Sequence, residues 1–358
     1  MARFGIEEEF VLLDEDTLVP VTMGHGTRER ITAGAPGGAV MPEFLTSQFE
    51  CVTEPLTSLT DAAAQLNRLR GLIAAHAVPL HAVVAPSGTP FASTRHASVS
   101  PSPHYDRVAA QLAHIVRGHE VNGLHVHVEV TDSEEQVRAL NRVRGWLPVL
   151  LALTGNSPFI EGVPSGFASW RSILIRRLPA SWSPPRFHDY DDYRSHIDQL
   201  ISLGAIPDAS SLSWAARISE RFPTVEVRVS DVQLETDDTL FAAALTRAII
   251  LSDDGRVSKG EIDGIDASLW MASRKGMDAR VVDPTTGDAA DAWTAATRLL
   301  DVVRPVLDEL GDAEFVADRL ARILTDGTGA ERQLHAHREG GLPGLRRLYE
   351  EGTSATAG

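Results

Sequence analysis

Phe4-Gly5-Ile6-Glu7-Glu8-Glu9-Phe10-Val11-Leu12-Leu13 is the stretch from which the rest of the chain is read. Its ends are apolar and β-prone, which makes it a strand, yet three consecutive carboxylates occupy its middle. Side chains alternate across a strand, so Glu7 and Glu9 share one face while Glu8 joins Ile6, Phe10 and Leu12 on the other. Two carboxylates on one face, about 7 Å apart by strand rise, repel each other unless a cation lies between them. Alone, the run reads first as a solvated strand face. The later strands weigh against that.

Three further segments repeat the pattern. In 44–54, Gln48, Glu50 and Val52 fall on one side and Phe49, Cys51 and Thr53 on the other, before Pro55 ends the run. In 121–130, Gly123, His125, His127 and Glu129 share a face opposite Leu124, Val126, Val128 and Val130. In 224–229, Val225, Val227 and Val229 face a core, while Glu226, Arg228 and Ser230 face away. If the apolar faces pack on one helical layer, the polar faces converge. Four carboxylates, two imidazoles and a guanidinium on one surface are costly without cations. Oxygen-rich ligands favour Mg²⁺ or Mn²⁺ over zinc, and Mg²⁺ usually arrives with nucleotide phosphates. Arg228 suits a phosphate oxygen. These residues therefore suggest metal-assisted phosphoryl chemistry. Their alternatives are ordinary: His-x-His as a structural pair or the zinc pair of a hydrolase, and Glu-x-Arg as a surface ion pair.

Between the strands the periodicity predicts helices at 60–77, with Leu66, Leu69, Leu72 and Ile73 as the buried stripe, and at about 105–117 and 190–203. A capping box of Ser133 and Gln136 opens a long helix to about 153, and Asp237 caps another to about 251. Helices follow at about 290–310, 313–324 and 330–351, and 352–358 reads as a frayed tail. The segment 22–40, with Gly24, Gly26, Gly34, Gly37 and Gly38, reads as a flap over a site or a plain loop. Strands with one polar face, interleaved with helices, indicate one α+β domain spanning 1–358, with a curved sheet whose apolar face carries the helices.

The net charge of −16 argues against nucleic acid or an anionic membrane as partner. A single cysteine, Cys51, excludes an internal disulfide or a thiolate cluster. The longest apolar run, 146–154, is too short to span a bilayer, and the N-terminus leaves no room for a signal peptide. The expectation is a soluble cytoplasmic protein. Neither a P-loop nor a dinucleotide fingerprint occurs, so ATP, if bound, is held by metal and arginines.

The motifs Phe4-Gly5-Ile6-Glu7-Glu8-Glu9-Phe10, Ser47-Gln48-Phe49-Glu50, Asn122-Gly123-Leu124-His125-Val126-His127-Val128 and Pro223-Thr224-Val225-Glu226-Val227-Arg228-Val229 resemble those of the carboxylate–amine ligases, or type 2 glutamate–cysteine ligases. Ala152-Leu153-Thr154-Gly155-Asn156-Ser157-Pro158-Phe159, Ala168-Ser169-Trp170-Arg171-Ser172, Gly204-Ala205-Ile206-Pro207-Asp208 and Asp283-Pro284-Thr285-Thr286-Gly287 match in order. The resemblance implies a glutamine-synthetase-like curved antiparallel sheet with helices on its convex face, carrying Mg²⁺ (or Mn²⁺) and ATP. It puts metal-binding carboxylates at Glu7, Glu9, Glu50 and Glu226, the strand histidine at His125 and the phosphate-facing arginine at Arg228. Arg171 would contact substrate or phosphate, His127 is the candidate general base, and Asn156 caps a helix end. The implied reaction joins a carboxylate, the γ-carboxyl of glutamate, to an amine such as cysteine through an acyl phosphate, yielding ADP and phosphate. Relatives of this kind are often homodimers. Three positions depart from the family pattern: Ala215 for an aspartate, Lys275 for an aromatic and Glu129 for a glycine, which bears on the second substrate. The rival readings are a metal-dependent amide hydrolase built on His125 and His127, and a non-catalytic nucleotide or amino-acid sensor.

Overall fold

In the computed structural model, residues 2–23, 31, 38–93, 98–252 and 264–354 are described. Gly24, Gly26, Gly34 and Gly37 of the expected flap lie outside them. The opening stretch forms β1 (Phe4–Asp14), the centre of a seven-stranded sheet. The other strands are β2 (Ala39–Pro42), β3 (Gln48–Val52), β4 (Ala82–Ala85), β5 (Gly123–Glu129), β6 (Ala216–Ile218) and β7 (Thr224–Asp231). Their order is β6-β7-β5-β1-β3-β2, with β4 also pairing β1, and every pairing is antiparallel.

The helices are α1 (Leu59–Ala77), α2 (Pro103–Leu112), α3 (Ser133–Thr154), α4 (Trp170–Ile175), α5 (Tyr190–Ser202), α6 (Thr236–Leu251), α7 (Ile265–Lys275), α8 (Ala292–Leu310), α9 (Ala313–Asp326) and α10 (Gly329–Thr353). Alternation in the strands decides what they cover. Ile6, Leu124, Val126, Val128, Val225 and Val227 bury against α3 and α6 in the main core. Phe10, Leu12, Phe49 and Cys51 pack on Leu69 and Ile73 of α1. The opposite face of β1 stays polar only as far as Glu9. Beyond it Val11 and Leu13 pack with Leu345 and Tyr349 of α10, which bounds the polar surface at one end.

Three local readings change. Asp132, not Ser133, caps α3 by accepting from the Glu135 N–H, and Asp237 sits in the first turn of α6 behind Glu235. Helix α10 runs to Thr353, with Gly352 and Thr353 buried, so these two residues are not part of a frayed tail; 355–358 lie outside the described residues. A side chain at Gly352 would put its Cβ 2.2 Å from the Leu234 carbonyl oxygen, which explains the glycine. Lastly, the β5–β7 register slips between Val227 and Ser230, so Arg228 and Val229 together oppose His125. That bulge reverses the alternation beyond it. Ser230 turns inward, its hydroxyl 3.0 Å from that of Thr154, and Asp231 pairs with Gly123 on the polar face.

Candidate functional site

Strand register assembles the polar face. Glu7 stands opposite His125, Glu9 opposite Glu50, Glu226 opposite His127 and Arg217 opposite Glu226. Directly opposed side chains lie on the same face within reach of one another. His125 Nδ1 lies 3.0 Å from Glu7 Oε2, and His125 Nε2 lies 3.6 Å from Glu9 Oε1. His127 Nε2 is 3.2 Å from Glu7 Oε1 and 3.9 Å from Glu226 Oε1. Arg228 pairs with Glu226 through Nη1, and Arg217 Nε donates to the same carboxylate at 2.6 Å. Arg171 lies over Gly123, where an added Cβ would come 2.4 Å from its Nη2 and 2.9 Å from His125 Nε2. Glu7, Glu9, Glu50, His125, His127, Glu226, Arg228 and Arg171 are thus brought to one surface.

Three overlapping sets have ligand atoms within 4.8 Å of one another: Glu7, His127 and Glu226; Glu7, Glu50 and His125; Glu9, Glu43 and Glu50. Their electrostatics differ along the row. Against burial, the Arg228 and Arg217 guanidiniums hold Glu226 far below the usual carboxylate range, and the two imidazoles do the same for Glu7. Against burial, Glu7 and Glu226 raise His127, whereas burial and Arg228 lower His125. At the other end compensation fails. Burial, then Glu7 and Glu43, drives Glu50 well up, and burial with Glu9 pushes Glu43 up to about 8. Both imidazole Nε2 atoms are buried without a hydrogen bond; His127 Nε2 approaches Glu7 but off the line of one. Clustered carboxylates that repel, beside buried nitrogens with free lone pairs or protons, are a donor set that a divalent cation fits.

Sequence reasoning missed three residues. Glu43 precedes β3 outside any alternation, and Arg217 sits on a strand of three residues, too short to show a period. Asp231 was hidden by the bulge. Its Oδ2 accepts from the Asn156 N–H at 2.8 Å and the Ser157 hydroxyl at 2.7 Å, and its Oδ1 accepts from Ser169 at 2.9 Å. Arg171 Nη1 stands 3.7 Å from Oδ1, so Asp231 is its counter-charge. Gly88 lies flat against that carboxylate; a Cβ there would be 2.6 Å from the Asp231 Cγ. Asn156 does more than end a helix, since its amide donates to the Pro86 and Val232 carbonyls. Over the polar face lies a cavity of about 250 Å³ whose lining includes Glu9, Glu43, His125, Arg171 and Arg228.

Residues 3–351 match the family described as glutamate-cysteine ligase family 2. A protein of Salinispora tropica that carries the provisional name glutamate–cysteine ligase 2 is 37% identical over 92% of this chain and 88% of its own length. A relative from Nocardia farcinica with the provisional name glutamate–cysteine ligase 2-1 is 36% identical over 93% of this chain and 88% of its own. The chain belongs to glutamate-cysteine ligase family 2. The fold is shared with a glutamate–cysteine ligase of Francisella tularensis solved in complex with AMP, at TM-score 0.74 and 16% identity over 99% of this chain and 90% of that one. A bifunctional glutathione synthetase of Pasteurella multocida gives TM-score 0.71 at 15% identity over 99% of this chain and 52% of that one. Of the three positions read from the sequence as departures from the family pattern, Ala215 lines the cavity, Glu129 pairs with Arg3 at the surface, and Lys275 is exposed at the end of α7. Among the described residues no helix is long and apolar enough to cross a membrane.

Proposed function

We propose that this protein, an ATP-dependent ligase of the glutamate–cysteine ligase type, joins the γ-carboxylate of glutamate to an amine, with the whole chain acting as one catalytic domain. The observation that carries this reading is the convergence of carboxylates and unpartnered imidazole Nε2 atoms from four strands beside the buried Arg171 and the partly exposed Arg228 guanidinium. Glu7, Glu9, Glu50, His125 and Glu226, joined by Glu43 and His127, would hold Mg²⁺ or Mn²⁺. When bound, the metal would neutralise the ATP phosphates and polarise the transferring phosphoryl group.

The chain's own groups do the rest. Arg228 makes its contacts with Glu226 and His125 through Nη1, which leaves Nη2 for a phosphoryl oxygen. Arg171, held by Asp231, adds a second fixed positive charge beside His125. In the reaction a γ-carboxylate oxygen attacks the γ-phosphorus and ADP leaves, forming an acyl phosphate. The amine nitrogen then attacks the acyl carbon, phosphate departs with the bonding electrons, and the amine gives up a proton. His127 lies between Glu7 and Glu226, so we assign it to the cation-holding set and not to a general base. The cytoplasm, which supplies ATP and glutamate, is the compartment this reading requires.

Incubation with Mg-ATP, glutamate and mixed amines, followed by nucleotide assay and mass spectrometry, tests the reading. ADP and a glutamyl amide are expected. Nucleotide binding without ADP would indicate a sensor, and amide cleavage without nucleotide, dependent on zinc, would indicate a hydrolase.

A further inference from the structure

The cavity over the polar face has two characters. Its carboxylates and guanidiniums, Glu9, Glu43, Arg171, Arg217 and Arg228, stand on or beside the sheet. The wall away from the sheet is formed by Val108 and Leu112 of α2 together with Leu178, Trp182, Ile206 and Trp214. Apart from His104, whose ring packs on Tyr105 of the same helix, most polar side chains along that wall are turned to protein partners. Trp182 Nε1 donates to the Ser172 carbonyl at 3.0 Å, and Gln111 Nε2 donates to the Gly204 and Ala205 carbonyls. Ser210 and Ser211 donate to Asp208, and Ser213 donates to the Ser211 carbonyl. What the wall presents to a ligand is therefore mainly apolar surface. A purine base, by contrast, is ordinarily recognised by free donors and acceptors along its edge.

Trp182 adds an independent observation. Its φ is +68°, a left-handed conformation that a bulky residue rarely adopts. The strain is held by a short parallel pairing of Ser181–Trp182 with Ser213–Trp214 and by the Ala215 N–H bonding to the Trp182 carbonyl. Strained aromatic residues are retained where their position matters. Here the pairing fixes two indoles, both about 95% buried, in one cavity wall.

We propose that this wall seats the side chain of the amine acceptor, and that the acceptor is therefore an amine with an apolar or aromatic side chain. The proposal rests on the ligase reading above. Continuity of the cavity with the polar face supports it: an acceptor lodged there extends its amino group toward the sheet, where the activated carboxyl would form.

The test measures kcat/KM for L-leucine, L-phenylalanine, L-cysteine, L-alanine, L-lysine and hydroxylamine, with Mg-ATP and glutamate, reading both ADP and the glutamyl product. Leucine and phenylalanine are expected to exceed alanine, cysteine and lysine by at least about tenfold, the usual discrimination of an apolar pocket for a few methylenes. Val108→Asp, on a helix without buried residues, brings a charge to the wall at little risk to the fold. It should lower kcat/KM for phenylalanine at least about tenfold more than for hydroxylamine, which is too small to reach the wall. Preference for cysteine or lysine would overturn the proposal and leave the ligase reading standing. So would a Val108→Asp effect confined to the KM of ATP, which would give the wall to the nucleotide base. Absence of ADP with every amine would instead overturn the ligase reading, and this proposal with it.

Discussion

Glu8 points to the helical side of the sheet. There Arg70 of α1 donates to it through Nε at 2.9 Å and through Nη2, and the Thr239 hydroxyl of α6 donates at 2.5 Å. The remaining Arg70 donors go to the carbonyls of Gln233, Leu234 and Gly352. Glu7 and Glu9, one residue to either side, point the other way, into a face with more carboxylate than the protein compensates. The two sides of one strand thus hold buried charge on opposite terms. On one, both carboxylate oxygens and every guanidinium proton have a protein partner, and the charge ties β1, α1, α6 and α10 together. On the other, carboxylates repel and both imidazole Nε2 atoms go without a hydrogen bond, an arrangement that a bound cation would stabilise.

Breaking the compensated side should have the largest effect. Arg70→Met leaves Glu8 buried without its counter-charge, with only the Thr239 hydroxyl bonded to it, and urea denaturation should show a loss of about 3–5 kcal/mol. The double variant Glu8→Leu/Arg70→Met should recover most of that loss, because an apolar pair can replace a buried ion pair. A loss below about 1 kcal/mol for Arg70→Met would erase the distinction. On the other side Glu50→Gln should lower ligase turnover by about 100-fold or more, yet leave the metal-free protein as stable or more so, since it removes a carboxyl whose ionised form is already disfavoured. Asp231→Asn should be milder. It removes the counter-charge of Arg171 and disturbs three hydrogen bonds, costing about 1–3 kcal/mol and raising KM for an anionic substrate more than it lowers kcat.

The smallest expected effect is in pH. Burial and Glu9 raise Glu43 from 4.5 to about 8, so the folded protein holds a proton there that the unfolded chain releases. That proton's contribution to metal-free stability is complete below pH 4.5 and is lost as pH rises through about 8. A divalent cation displaces the same proton. The thermal stabilisation given by Mg²⁺ should therefore grow between pH 6.5 and 8.5, at most about tenfold in affinity per pH unit for one proton, and the dependence should flatten in Glu43→Gln.

Much of this was legible in the alternation of four strands. Glu7, Glu9, Glu50, His125, His127, Glu226 and Arg228 fall where a period of two and a shared helical layer put them. The failures have local causes. One bulged step between Val227 and Ser230 turned Ser230 inward and brought Asp231 out, and nothing in the residues announces it. Glu43 and Arg217 lie on segments too short to show a period. The partner of Glu8 was out of reach because Arg70 sits within the leucine stripe of α1, 62 residues away.

The central claim is that the polar face of β1 is a divalent-cation centre. Anomalous diffraction from crystals grown with Mn²⁺ tests it most directly. The account predicts Mn²⁺ peaks coordinated by Glu7, Glu50 and His125 or by their neighbours Glu9, Glu43 and Glu226, lost in Glu7→Gln/Glu50→Gln. Crystals of active protein with Mn²⁺ bound elsewhere, and none on this face at saturating concentration, would contradict it.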